Sequence, residues 1–135
     1  MRTPEEILKE SKTIAVVGIS DDPEKASHSV ASYLQRHDFK VIPVNPNFTT
    51  LLGETCYASL RDIPEAVDIV DVFRRPEAVV PIAEDAVAIG AKVLWLQVGI
   101  VNEEAAAIAR RGGLDVVMDQ CAKIVHGQMA KAARR

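Results

Sequence analysis

Two adjacent arginines, Arg74 and Arg75, one lysine, Lys25, and three donors, Ser20, Ser27 and His28, are the side chains best suited to holding an anion. Arginine takes phosphate oxygens two at a time, and lysine supplies a compact positive charge. The start of a helix adds free N–H groups and the positive end of the helix dipole. The chemistry this set supports is capture of a diphosphate. Asn45 can hydrogen-bond a ribose or a base edge, and Pro46, Phe73 and Pro76 offer flat apolar faces to a purine ring. No Ser-His-Asp order, paired-carboxylate motif or glycine-rich histidine loop is present, so no catalytic residue is expected. Cys56 and Cys121 form no C-x-x-C pair, and no Cys/His cluster has metal-ligand spacing, so no metal is expected.

Each of these residues also has a purely structural reading. Gly18 alone is equally a turn glycine at a strand end. Adjacent arginines commonly form a solvated face. Asp21 and Asp22 place negative charge in the supposed phosphate loop and oppose the reading unless they point outward. His28 reads equally as a surface helix residue. Trp95 reads as core rather than a stacking platform, Cys121 as a structural thiol, and His126 as packed on the last helix or facing solvent. The functional reading rests on co-location, which depends on the elements that carry these residues.

Those elements alternate. Thr3-Pro4-Glu5-Glu6 opens a helix, with Thr3 as cap, Pro4 in the first position and Glu6 closing a capping box. "TIAVVGI" (13–19) is a near-continuous apolar run, as a strand buried on both faces requires. A helix follows, with Ser27 as its expected N-cap and Val30, Tyr33 and Leu34 at helical spacing. "KVIPVNP" is the second strand, and Pro43 inside it predicts an edge or a bulge. The mixed segment "NFTTLLGETCYASLRDIPEAV" is expected to hold one short strand around Thr55-Cys56-Tyr57. "DIVDVF" is the third apolar run. A helix from Pro81 to Gly90, the strand "KVLWLQVG", a helix from Asn102 to Gly112-Gly113, the strand "LDVVMD" and a helix from Cys121 follow. The end, "GQMAKAARR", is expected to fray.

Strand–helix alternation at this spacing predicts an α/β fold: a Rossmann-like, doubly wound, mostly parallel sheet of about five strands, with helices on both faces. Ligands of such sheets sit at the carboxyl ends of the strands, where the strand order reverses. Gly18, Ile19 and Ser20 follow the first strand, Asn45 and Pro46 the second, and Phe73 to Pro76 the third. Gln97, Gly99, Asp119 and Cys121 follow the last two. NAD is disfavoured, because the loop from Ser20 to Ala26 has no further glycine and the second strand ends in Asn45-Pro46 rather than an acid. A P-loop, G-x-x-x-x-G-K-[ST], is absent.

The chain has 135 residues, which predicts one domain over 1–135. A formal net charge of −3 argues against nucleic acid as a partner. No apolar run reaches the roughly 18 residues of a membrane span. With no apolar signal core and two thiols read as reduced, the expected location is cytoplasmic.

The motifs "VVGIS", "K.SH.V..YL", "VIPVNP", "DVFRRPE", "WLQVGI" and "D.C.KI.H", taken in order from about Ile7 to Gln128, resemble the small stand-alone coenzyme A-binding proteins. These are Rossmann-like domains similar to the CoA-binding domain of the succinyl-CoA synthetase α subunit. The resemblance implies CoA, free or acylated, across the ends of the first three strands. Gly18, Ile19, Ser20, Lys25 and Ser27 would line the diphosphate loop, with His28 beside them. Asn45 and Pro46 would flank the adenosine, and Phe73, Arg74, Arg75 and Pro76 would close the other side. The family's usual glycine before the second strand is Asp38 here, a turn position away from the site.

In the synthetase, a phosphohistidine in a second domain carries the chemistry. This chain offers only His28, His37 and His126, none in a glycine-rich loop. The first reading is therefore binding of CoA or acyl-CoA without catalysis. The alternative is a CoA-ligase or transferase subunit acting with a partner chain. A third is a redox- or nucleotide-sensing protein that recruits a partner. A protein partner or a homodimer is compatible with each.

Overall fold

Five parallel strands carry the fold, in the order β2 (Lys40–Val44), β1 (Thr13–Val17), β5 (Ile69–Val72), β6 (Val93–Leu96) and β7 (Asp115–Val117), and the computed structural model describes residues 1–134. Helix α1 (Pro4–Glu10) starts as read: the Thr3 hydroxyl accepts from the Glu6 N–H, and the Glu6 carboxylate accepts from the Thr3 N–H. Strand β1 (Thr13–Val17) is buried on both faces from Ile14 onward. That burial explains its unbroken apolar run.

Helix α2 spans Ala26–Arg36, and β2 spans Lys40–Val44. Strand β2 lies at the sheet edge, one of the two readings that Pro43 allows. The Pro43 carbonyl accepts from the Tyr57 N–H on the side away from β1. Its missing N–H faces that same outer side, so no bond of the β1–β2 ladder is lost. The segment after β2 differs from the single strand expected. It forms a hairpin, β3 (Thr50–Leu51) and β4 (Glu54–Thr55), and Tyr57 then makes an isolated parallel bridge to Val44. The Leu52-Gly53 tip, with φ of 53° and 74°, supplies the two left-handed residues of a tight turn.

Strand β5 (Ile69–Val72) follows, and then helix α3 (Val79–Ala88). Pro81 does not open this helix, as the sequence suggested. A 3₁₀ turn over Pro76–Ala78 precedes it, and Pro76 is the opening proline. Pro81 is tolerated because N–H groups of a first helical turn have no intrahelical partner to lose. Strand β6 (Val93–Leu96), helix α4 (Glu103–Arg111), strand β7 (Asp115–Val117) and helix α5 (Ala122–Ala133) complete the chain. Asn102 caps α4 through the Ala105 N–H, and Gly112 ends it, as read. The expected fraying from Gly127 is not seen, since α5 continues to Ala133; Arg135 lies outside the described residues.

The sheet is covered on both sides. Helices α3 and α4 pack small residues, such as Ala83, Ala86, Ala105 and Ala109, on one face. Helices α1, α2 and α5 cover the other, around the fully buried Trp95. His126 packs there, its Nδ1 2.9 Å from the Tyr33 hydroxyl and its ring edge-on to Phe39. Burial, and then the neighbouring His37, hold its pKa below the usual histidine value. Among the described residues, no helix is long and apolar enough to cross a membrane. Chain order reverses between β1, which continues outward to β2, and β5, which continues the other way. That switch point sets the candidate site.

Candidate functional site

Gly18 ends β1 with φ of +82°, a conformation that disfavours any side chain. Space is equally restrictive. A Cβ on Gly18 would lie 2.5 Å from the Phe73 carbonyl oxygen and 2.8 Å from Cδ of Arg74. The ends of β1 and β5 are thus pressed together at the switch point, and only glycine fits between them.

Around this contact lie two adjoining cavities. One, of about 550 Å³, is lined by Gly18, Asn45, Phe73, Arg74, Arg75 and Glu77. The other, of about 200 Å³, lies between Gly18, Val44 and Pro46 on one side and Ser59, Leu60 and Ile82 on the other. Gly18 and Arg74 belong to both. The sequence therefore brought six predicted residues to one place: Gly18, Asn45, Pro46, Phe73, Arg74 and Arg75. Both arginines are exposed, and neither forms an ion pair among the described residues.

Asn45 is fixed by its neighbours. Its Nδ2 donates to the Ile19 carbonyl at 2.8 Å, and its Oδ1 accepts from the Asn47 N–H. It ties the loop after β1 to the end of β2, and its side-chain amide is largely committed to that task.

The remaining predicted residues stand elsewhere. The Ile19 side chain is fully buried in the core, so only its backbone can belong to the rim. Ser27 is not the N-cap of α2. Lys25 holds that position, with no side chain capping the helix. Ser27 sits inside the first turn, buried, where its hydroxyl accepts from the Ser20 N–H at 2.9 Å. The Ser20 hydroxyl in turn accepts from the Asp22 N–H, and the Asp22 carboxylate accepts from the Glu24 N–H. The serines and Asp22 are therefore spent on shaping the loop. Lys25, His28 and Pro76 line neither cavity. Lys25 and Pro76 are exposed and His28 is half-buried. The uncapped start of α2 leaves its first N–H groups to solvent or to an anion.

Several residues of the rim were missed. Ser59, Leu60, Ile82 and Asp85 come from the 3₁₀ turn over Leu60–Asp62 and from α3. Ser59 caps that turn, and Arg61 pairs with Asp85 at 2.6 Å, which offsets the carboxylate facing the smaller cavity. A buried pair also went unread. Asp71, fully buried on β5, accepts from Nε2 of Gln97, while its second oxygen has no partner among the described residues. Burial pushes the Asp71 carboxyl up to about 7, against the opposing Gln97 hydrogen bond. An acid inside the apolar run "DIVDVF" was the available signal.

A parallel five-stranded sheet with helices on both faces and a glycine pressed into its switch point is a Rossmann-like α/β fold, a class that receives ligands at the carboxyl ends of its strands. The family described as "CoA binding domain" matches residues 12–127, and the chain belongs to it. The Bacillus subtilis protein YneT is 45% identical over 121 residues, which cover 90% of each chain. An ADP-forming acetate–CoA ligase of Archaeoglobus fulgidus is 29% identical over 90% of this chain but only 19% of the ligase. Among solved structures, a hypothetical protein from Pyrococcus horikoshii superposes with a TM-score of 0.91 at 38% identity, covering 96% of this chain and 93% of that one. The chain thus matches small proteins along nearly their whole length and the ligase along about a fifth of its own.

Proposed function

We propose that the protein binds coenzyme A, free or acylated, at the rim between β1, β2 and β5, and carries out no chemistry of its own. The observation that carries this reading is the close approach of Gly18 to Phe73 at the switch point, with Arg74 and Arg75 exposed beside it and in no ion pair among the described residues. Membership of the CoA-binding family supports the choice of ligand. In this reading the arginines meet phosphates, and the uncapped first turn of α2 adds N–H donors. Pro46 and Phe73 bracket the adenosine. Lys25 and His28 act at longer range or not at all, and residues 1–135 work as one cytoplasmic domain.

The test is a thermal-shift comparison. Millimolar CoA should raise the melting temperature by several degrees, since a ligand at a hundredfold excess over Kd stabilises by about 2.7 kcal/mol. NAD and ATP at equal concentration should do much less. Dephospho-CoA should fall between CoA and NAD if the 3′-phosphate meets one of the basic side chains. The match to the acetate–CoA ligase favours a second reading, a subunit of a CoA ligase. Acyl-CoA formation by this chain with a nucleoside triphosphate and a short acid, alone or with a co-purifying partner, would select it.

A further inference from the structure

A third cavity, of about 480 Å³, opens on the α2/α5 side of the sheet, next to the rim. It shares Phe73 and Arg74 with the larger rim cavity, so the two adjoin at the end of β5. Its chemistry is different. Ala26, Val30, Val98, Ile100 and Ile124 make its wall apolar, and Arg74, at the shared border, is the only charged side chain on it among the described residues. Val98 and Ile124 remain 63% and 56% exposed, and so leave a large apolar area uncovered at the mouth. A small globular protein rarely leaves such a concave apolar surface beside a charged cleft without a ligand for it.

One polar side chain is built into this wall. Gln97 is 4% exposed and lines the cavity. Its Nε2 donates to the buried Asp71, which holds the amide in place, and no hydrogen bond to its Oε1 occurs among the described residues. A fixed acceptor in an apolar wall suits an amide N–H. The arm that joins the nucleotide of CoA to its sulfur contains two amides, and it ends in the thioester.

We infer that this cavity receives the acyl end of an acyl-CoA, with a short, uncharged aliphatic chain as the group it takes. The inference rests on the CoA reading of the rim. The nucleotide lies over Gly18, Asn45 and Arg74. The arm crosses Phe73, gives an amide N–H to Gln97 Oε1, and delivers the acyl chain to Val30, Ile100 and Ile124. The protein then prefers acyl-CoA to free CoA, because only the acylated form covers the apolar wall.

Isothermal titration of the whole chain with CoA and with n-butyryl-CoA tests this. The three aliphatic carbons of the butyryl group, entering a partly open apolar site, should tighten binding about tenfold. Ile124→Glu, a change at an exposed position, should abolish that gain, read as the ratio of n-butyryl-CoA to CoA affinity within the same variant. Maleimide labelling of Cys121, which lines the same cavity, gives a second readout. The other cysteine, Cys56, is buried and its thiol is raised by burial, so labelling reports Cys121. Butyryl-CoA should slow the labelling, and 3′-phospho-ADP, which lacks the arm, should not. If CoA binds but butyryl-CoA binds no tighter, the inference fails and the CoA reading survives. If neither binds, the CoA reading itself fails. If Ile124→Glu instead converts a dimer to a monomer with both affinities unchanged, a second copy of the chain covers the patch and the inference is overturned.

Discussion

Replacing Gly18 with alanine perturbs the one contact on which the rim depends. Two costs add. An L-residue in the left-handed region costs about 1–2 kcal/mol. The new Cβ would also stand 2.5 Å from the Phe73 carbonyl oxygen, a backbone atom that cannot rotate away. The ends of β1 and β5 must part, and forced displacement of well-packed structure costs about 1–3 kcal/mol. The total, about 2–5 kcal/mol, is a large share of the roughly 7–20 kcal/mol expected for a chain of this length. It corresponds to a melting temperature lowered by roughly 10 °C. Gly99 provides the control: its φ is also +82°, yet no atom lies within 4 Å of where its Cβ would stand. Gly99→Ala should therefore show only the conformational cost, about 1–2 kcal/mol. Urea denaturation of the three proteins measures the difference, and calorimetry below their melting temperatures measures CoA affinity. Gly18→Ala should be the less stable variant and should bind CoA at least tenfold more weakly. Equal stabilities for the two variants, with CoA affinity retained, would refute the argument that close approach of β1 and β5 builds the site.

Three further outcomes follow from the same geometry. The double variant Arg74→Ala/Arg75→Ala should weaken CoA about a hundredfold or more, because charge-assisted contacts contribute about 1.5–3 kcal/mol each. Its melting temperature should stay near that of the parent, since both side chains are exposed and unpaired; unchanged affinity in titration would make the pair a solvated face. Asp71 should make stability fall as pH rises. Its folded pKa, about 7, lies above the ordinary 3.8, so between those values the unfolded chain has released a proton that the native state keeps. The slope is about 1.4 kcal/mol per pH unit across that window, and it levels off above the folded value. Asp71→Asn should flatten this dependence in denaturation curves from pH 4 to 8, and a variant with the parent's pH profile would show that Asp71 does not carry it. Finally, Asn45→Ala should loosen the loop after β1 by removing the bond to the Ile19 carbonyl. Faster amide hydrogen exchange at Ile19 and Ser20 is the expected signature, and unchanged exchange there would dismiss Asn45 as the tie.

The parts of the fold set by local chemistry were legible in the chain. Thr3, Pro4 and Glu6 need only one another to start α1, and Asn102 needs only the Ala105 N–H to start α4. Pro43 narrowed its strand to an edge or a bulge because a missing donor is tolerated only where no ladder bond needs it, and the strand is an edge. The site was legible to the extent that it follows from strand ends. Gly18, Asn45, Phe73 and Arg74 meet because parallel strands deliver their carboxyl ends to one side. Strand-end position places a Cα but does not aim a side chain, so Lys25, His28 and Pro76, though expected at the site, line neither rim cavity. Ser27 was misread as a cap for a related reason. The loop's own bonds, from the Lys25 N–H to the Asp22 carbonyl and from the Ser20 N–H to Ser27, decide where α2 begins. Ser59 and Asp85 reach the rim only through tertiary packing and carry no local signature. Asp71 did carry one, an acid in an apolar strand, but its partner Gln97 lies 26 residues away.

The central claim is that the rim binds coenzyme A in preference to other adenine nucleotides. Its most direct measurement is an isothermal titration of the purified chain, stripped of co-purifying ligand, with CoA and separately with NAD under the same conditions. The account predicts saturable one-to-one binding of CoA and markedly weaker binding of NAD, which lacks the 3′-phosphate and meets Asn45-Pro46 instead of an acid. No detectable CoA binding, or NAD binding as tight as CoA, would contradict it.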